Sequence, residues 1–193
     1  MSEQVSDAAL AAACRRGDGR ALGALIERYK SDVFGTALRL CHNRETALEL
    51  TNTIFFKAYQ NLHRYDAERP LRPWLLRIAT NETLNWLRSQ RREREHVAEA
   101  ETSETALDLA PASPDAEPET TALRLERRDE VRAALAGLPE RYRAVLTLRF
   151  FDDLSYAEIA EITGQDANTV GVQLLRARAL LRDALSHGAA AHP

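Results

Sequence analysis

The sequence predicts an all-α protein made of two small helical lobes joined by a flexible acidic linker, with a helix-turn-helix in the C-terminal lobe. Three observations predict this. Apolar residues recur at three- and four-residue spacing in both halves of the chain, and no segment alternates apolar and polar residues as a half-buried strand does. Between Glu93 and Thr121 the periodicity stops; Ala, Glu, Ser, Thr and Pro dominate there, and Pro111, Pro114 and Pro118 interrupt any helix. Residues 154–181 carry the cap, stop and turn residues of two closely joined helices. The expected boundaries are 1–92 for the first lobe, 93–121 for the linker, 122–188 for the second lobe and 189–193 for a disordered tail.

Ser6-Asp7 can cap a short helix carrying Leu10 and Cys14, which stops at Gly17-Asp18-Gly19. The next helix holds Leu22, Leu25, Ile26, Tyr29, Val33, Ala37 and Cys41 on one face, and Asn43 reads as its stop. A third runs from about Glu45 to His63 with Ala47, Thr51, Ile54, Phe55, Ala58 and Leu62 inward. Tyr65 to Pro70 is a loop, and Pro73 suits the first turn of a fourth helix, where its missing N–H costs nothing. In the second lobe, helices are expected over about 122–136 and 139–150, separated by Gly137-Leu138-Pro139. Asp152-Asp153-Leu154 is a turn whose paired acids read as a solvated cap.

Of the 193 residues, 45% are hydrophobic, enough for helical cores, but no run approaches the roughly 20 apolar residues that span a bilayer. Met1-Ser2-Glu3-Gln4 shows no basic region followed by an apolar run, so a cytoplasmic protein without membrane insertion is expected. Cys14 and Cys41 form no CxxC and read as reduced thiols. His42, His63, His96, His187 and His192 have no ligand spacing, and no phosphate loop or nucleophile elbow occurs. No metal, cofactor or catalytic residue is therefore expected. The net charge of −3 hides an asymmetry: nine acids and one base fall between Glu93 and Thr121, which leaves 25 bases against 20 acids elsewhere, or +5. Basic lobes on an acidic tether suit a nucleic-acid partner.

Ser155 and Glu158 form the S-x-x-E capping box, in which each side chain satisfies the other residue's free backbone N–H. Ile159, Ala160 and Ile162 face inward, Gly164 supplies the left-handed stop, and Asn168 is placed to cap the following helix. That second helix buries Val170 and Leu174 and carries Arg176, Arg178 and Arg182. In a helix-turn-helix its N-terminal part enters the major groove while nearby bases hold phosphates. The candidate contacts are Ser155, Asn168, Thr169, Gln173, Arg176 and Arg178. A second cluster mixes aromatic, amide and basic groups: Arg64, Tyr65, Arg72, Trp74, Arg77, Asn81, Asn85, Arg88, Arg91 and Arg92. Such groups stack on unpaired bases, read base edges and hold phosphates.

The ordered motifs resemble the extracytoplasmic-function (ECF) group of bacterial RNA polymerase sigma factors, in the sigma-70 family. They are Arg44-Glu45 with Ala47, Glu49 and Leu50, then Phe55 and Lys57-Ala58-Tyr59; the run from Arg72 to Asn81; the run from Leu138 to Leu146; the run from Leu154 to Ala160; and Thr169-Val170 followed by Leu174, Arg176, Ala177 and Arg178. The resemblance implies a sigma factor that binds the clamp and flap of core RNA polymerase and directs promoter-specific initiation, in a stress or envelope-response regulon. The first lobe would grip the clamp and capture a flipped base of the minus-ten element near the 65–70 loop. The second would read the minus-thirty-five element as duplex. A helix-turn-helix regulator acting without polymerase, and a sigma-like interaction module that reads no DNA, are the alternative readings.

The resemblance also implies polymerase contacts at Glu49, Leu50, Asn52, Thr53 and Lys57. Two departures from the family pattern stand out. Gly171, Val172 and Gln173 replace a basic and polar run, and Gly171 weakens its helix by about 1 kcal/mol relative to Ala. Thr46, Leu48 and Thr53 occupy clamp-helix positions where acids are common. Phosphorylation of Thr46 or Thr53 would restore negative charge there, which makes a Ser/Thr kinase a candidate partner beside an anti-sigma factor.

Overall fold

The computed structural model describes residues 5–100 and 130–189, and every regular element among them is helical. Ser6 caps α1 (Asp7–Arg15), its side chain accepting from the Ala9 N–H at 3.2 Å. Asp7 then reaches α2 (Gly19–Cys41), where it pairs with Arg28 at 2.5 Å and accepts from the Tyr29 hydroxyl. Asp18 caps α2 through the N–H groups of Arg20 and Ala21. The helix ends at His42, a non-glycine residue in the left-handed region with φ 56°. Asn43 is not a stop but the cap of α3 (Arg44–Asn61), accepting from the Thr46 N–H at 2.9 Å. A single 3₁₀ turn (Leu62–Arg64) leads to the loop before α4 (Leu71–Ala100), which holds Pro73 in its first turn.

The first lobe packs α1–α4 around Val33, Ala37, Ala47, Ile54, Leu71 and Ala79, all sealed from solvent. The second contains α5 (residues 130–136), α6 (Glu140–Phe150), α7 (Tyr156–Thr163) and α8 (Ala167–Ala189). Its core is built on Val145, Leu148, Ile159, Val170 and Ala177. Residues 93–100 of the expected linker continue α4 as helix. The expected linker residues 101–121, the start of the helix expected at 122, and residues 190–193 of the tail lie outside the described residues.

The lobes have separate cores but share an interface, in which α2 packs on α6 and α4 on α7. Leu76 belongs by sequence to α4 and by packing to the second lobe's core, where it is fully buried.

Candidate nucleic-acid interface

The helix-turn-helix is built by local chemistry. The Ser155 hydroxyl accepts from the Glu158 N–H at 3.3 Å, and the Ser155 N–H donates to the Glu158 carboxylate at 2.8 Å. Two of the four free N–H groups at the start of α7 are thereby satisfied. Gly164 closes the helix at φ 68°, a backbone angle that strains side chains with a Cβ. The following helix is capped by Asp166 rather than Asn168. The Asp166 carboxylate accepts from both the N–H and the hydroxyl of Thr169, which leaves Asn168 exposed in the first turn.

Beside this turn lies a cleft of about 470 Å³ lined by Arg141, Tyr142, Asn168, Thr169, Gln173 and Arg176, with Val172 at its edge. Arg141 stacks over the Tyr142 ring at 4.7 Å and donates to its hydroxyl at 3.4 Å. The Arg141 and then the Arg176 guanidinium hold the phenol below its ordinary pKa. Among the described residues, no carboxylate lies within salt-bridge distance of either arginine. Two guanidiniums converging on one phenol without a counter-charge form a place for an anionic oxygen. Sequence reasoning missed Arg141 and Tyr142, because they precede the helix-turn-helix by more than a dozen residues and meet it only through the packing of α6 on α8.

The recognition helix differs from expectation at two more positions. Gln173 is half-buried, and its Oε1 is enclosed without a hydrogen-bond partner, so it must turn outward before it can pair with a base. Gly171 faces Tyr156: a Cβ there would lie 3.7 Å from the ring, in ordinary van der Waals contact. Arg178 is exposed one turn beyond, beside an apolar groove of the second lobe.

On α4 the expected downstream residues separate by face. Arg77, Asn81, Asn85, Arg88 and Arg92 are exposed at spacings of three and four, so they form one stripe. Arg91 is also exposed and pairs with Glu95 at 2.7 Å. Arg64 is exposed on the 3₁₀ turn. Tyr65, expected as a base platform, is buried; its hydroxyl donates to the Arg69 carbonyl and its ring meets Trp74 at 5.5 Å. Trp74 lies against the core of the first lobe, so this pair shapes the loop rather than offering an open ring. Arg72 is taken up by the lobe interface through Asp32 and the Asp152 carbonyl.

The outer face of α3 presents Glu49, Asn52 and Thr53 with the exposed apolar side chains of Leu48 and Phe56. Leu50, expected among them, is only 7% exposed and packs in the core, in register with Ala47 and Ile54. Lys57 pairs with Glu82 of α4. Thr53 is open to solvent with its hydroxyl on the Glu49 carbonyl, while Thr46 is half-buried in the first turn. A groove of about 570 Å³ runs beside this face between α2 and α3, lined by Leu22, Ile26, Phe34, Leu48, Phe56 and Tyr59 among others. No helix among the described residues is long and apolar enough to cross a membrane.

Two helical lobes, one carrying a helix-turn-helix with a basic cleft and the other an exposed amide-and-arginine stripe, define a DNA-binding protein of the helix-turn-helix class. Residues 25–93 match sigma-70 region 2, and residues 128–181 match sigma-70 region 4. The chain is 30% identical over 172 residues to the ECF RNA polymerase sigma factor SigW of Bacillus subtilis, covering 89% of this chain and 92% of that one. It is 34% identical over 187 residues to the RNA polymerase sigma-H factor of Pseudomonas aeruginosa, covering 96% of each. It is 34% identical over 182 residues to the ECF sigma-E factor of Escherichia coli, covering 92% and 93%. The fold is similar to that of CnrH in complex with the cytosolic domain of CnrY, with a TM-score of 0.66 at 24% identity over 94% of this chain and 97% of that one. It is also similar to the sigma factor RpoE of Bartonella quintana in complex with the anti-sigma factor NepR, with a TM-score of 0.65 at 21% identity over 83% and 94%. The chain belongs to the ECF group of sigma-70 family sigma factors. It is a sigma factor: it binds core RNA polymerase and promoter DNA, and it directs transcription initiation. The family acts by binding rather than by enzymatic catalysis.

Proposed function

We propose that three surfaces divide the work of initiation. The outer face of α3, with Glu49, Asn52, Thr53 and the exposed Leu48 and Phe56, meets the polymerase clamp. The stripe from Arg77 to Arg92 follows the opened minus-ten strand, its arginines on phosphates and its asparagines on base edges. The first turns of α8 enter the minus-thirty-five major groove with Asn168, Thr169 and Gln173, while Arg141 and Arg176 clamp a backbone phosphate beside them. The observation that carries this reading is the two-arginine cleft beside the recognition helix, whose uncompensated positive charge supports a phosphate contact there. An anti-sigma factor is the proposed regulator, in a stress or envelope-response regulon and a cytoplasmic setting.

We further propose that a phosphate on Thr53 strengthens the clamp contact. Thr53 is exposed beside Glu49, and a phosphate adds roughly −1.5 to −2 charges with acceptors suited to arginine. Thr46, half-buried with its N–H held by Asn43, is the poorer acceptor of the two. In vitro transcription with core polymerase on a promoter library tests the whole reading. A shared minus-ten and minus-thirty-five pair among the initiated templates supports it, and initiation insensitive to alanine at Asn81, Asn85 and Arg141 overturns it.

A further inference from the structure

Four exposed residues of α8 share one face. Asn168, Thr169, Val172 and Arg176 stand at i, i+1, i+4 and i+8, a spacing that sets side chains along one side of a helix. All four line the cleft that also holds Arg141 and Tyr142. The opposite face is core, where Val170, Leu174 and Ala177 are buried. Val172 is 49% exposed, although it is as apolar as the sealed Val170 two residues before it. Exposure alone carries little, because single apolar residues are common on protein surfaces. Register carries more. Val172 lies between the polar residues of the first turn and an arginine proposed above to hold a phosphate.

Its neighbours leave this part of the helix face to Val172. Gly171 has no side chain, and Gln173 is half-buried with its Oε1 enclosed. A valine side chain neither donates nor accepts a hydrogen bond, so it reads no amino, carbonyl or ring-nitrogen group on a base edge. The major groove offers one apolar group among the four bases, the C5 methyl of thymine. Adenine, guanine and cytosine present donors or acceptors there, which lose water against an isopropyl group and gain no partner. Valine also has one strongly preferred χ1 rotamer in a helix, so its methyl groups are already ordered before DNA arrives.

We propose that Val172 is a specificity-determining residue of the upstream contact: it packs against the C5 methyl of a thymine in the major groove of the minus-thirty-five element. This inference rests on the placement of the first turns of α8 in that groove proposed above. Val172 then selects promoters by an apolar contact, while Asn168 and Thr169 supply hydrogen bonds and Arg176 a phosphate contact on the same face. Burying one methyl group contributes about 0.8 kcal/mol, or about fourfold in affinity. The preference is for a single chemical group rather than for a base pair as a whole, so removing that group from the DNA is the direct probe of it.

The test uses the holoenzyme, formed from the full chain and core polymerase, on promoter fragments taken from the library. Each thymine of the minus-thirty-five element is replaced in turn by deoxyuridine, which removes the methyl group and leaves every hydrogen-bonding group of the base in place. One replacement should weaken wild type about fourfold. Val172→Ala puts a good helix former at an exposed position, so the fold is kept. This variant should bind the thymine fragment about fourfold more weakly than wild type and respond little to the same replacement. A wild type indifferent to every replacement overturns the assignment, and so does a Val172→Ala variant that retains the full loss. A set of initiated promoters that shares no thymine in this element overturns it as well. The variants Asn168→Ala and Arg141→Ala separate this failure from a failure of the surface beneath it. If they weaken upstream binding while wild type ignores deoxyuridine, Val172 alone is misassigned; if they too change nothing, the placement of α8 in the groove falls with it.

Discussion

Arg141→Ala should weaken upstream-element binding in a manner that identifies its target as a phosphate. Arg141 and Arg176 converge on the Tyr142 hydroxyl with no carboxylate of the described residues to neutralise them, so an incoming phosphate supplies the missing charge. Each phosphate contact removed lowers the slope of log K against log salt by about 0.9. Over a fourfold rise in salt, from about 50 to about 200 mM, the advantage of wild type over the variant should therefore shrink by about 3.5-fold, since 4 raised to the power 0.9 is about 3.5. The charge-assisted hydrogen bond itself accounts for about 1.5 kcal/mol, or roughly tenfold in affinity at the low-salt end. The loss should be alike on strong and weak minus-thirty-five sequences, because a phosphate carries no base identity. If the one phosphate is held only when both arginines are present, Arg141→Ala alone should lose the full slope of about 0.9, and the double variant Arg141→Ala/Arg176→Ala no more than that. Fluorescence anisotropy of a labelled upstream duplex at four salt concentrations measures all three quantities. An unchanged salt slope in Arg141→Ala refutes the phosphate clamp, and a loss confined to one base sequence assigns Arg141 to a base instead.

Other outcomes follow from single features. Ser155→Ala removes one half of the capping box and should cost the second lobe about 1 kcal/mol, read as a lower denaturant midpoint with unchanged slope. Asp153 sits at φ 56°, where glycine is unstrained, so Asp153→Gly should raise stability by up to about 1 kcal/mol in the same assay. Thr53→Glu and enzymatic phosphorylation should each raise core-polymerase affinity severalfold, whereas Leu50→Glu should unfold the first lobe by burying a charge; tight binding by unmodified protein with no gain on phosphorylation rejects the threonine switch. Burial, with Arg143 and Arg132 nearby, lowers the His42 pKa from 6.5 to about 4, so the unfolded chain takes up this proton first as pH falls. The His42 contribution should be fully present above about pH 6.5 and lost towards pH 4. His42→Gln should flatten that fall; burial of Asp152 raises its pKa and acts in the opposite sense near the acidic limit, so the histidine effect is read as wild type minus variant.

Helix positions were readable because the determinants are local. Ser6, Ser155, Glu158 and Gly164 act within one turn of themselves, and the apolar spacing of α2 and α3 reports directly which face is inward. Some misses were also local. Leu50 follows Ala47 by three and precedes Ile54 by four, a spacing that assigns it to the core, but the motif drew it to the surface. Asp166 and Asn168 are both good caps two residues apart, and composition alone does not choose between them. The remaining misses have distant causes. Asp152-Asp153 reads as a solvated pair because acids in a turn before a helix ordinarily are. Asp152 is buried because Thr36, 116 residues earlier, Arg39 and Arg72 stand ready to receive it. Arg72 and Tyr65 were read by residue type, yet the packing partners of each decide whether it faces DNA or protein. Nothing in the structure explains glycine at position 171, where a Cβ would meet the Tyr156 ring at ordinary contact distance.

The position of Leu76 has a consequence during synthesis. The first lobe leaves the ribosome before the second lobe exists, so the side chain that will complete the second core is at first bare on α4. Asp152 is 76 residues further along the chain, roughly 4 to 15 s of elongation at about 5–20 residues per second. Throughout that interval the socket formed by Thr36, Arg39 and Arg72 is empty. A nascent first lobe is therefore open to any binding partner present on the ribosome, and the folded chain closes this seat itself only when the second lobe arrives.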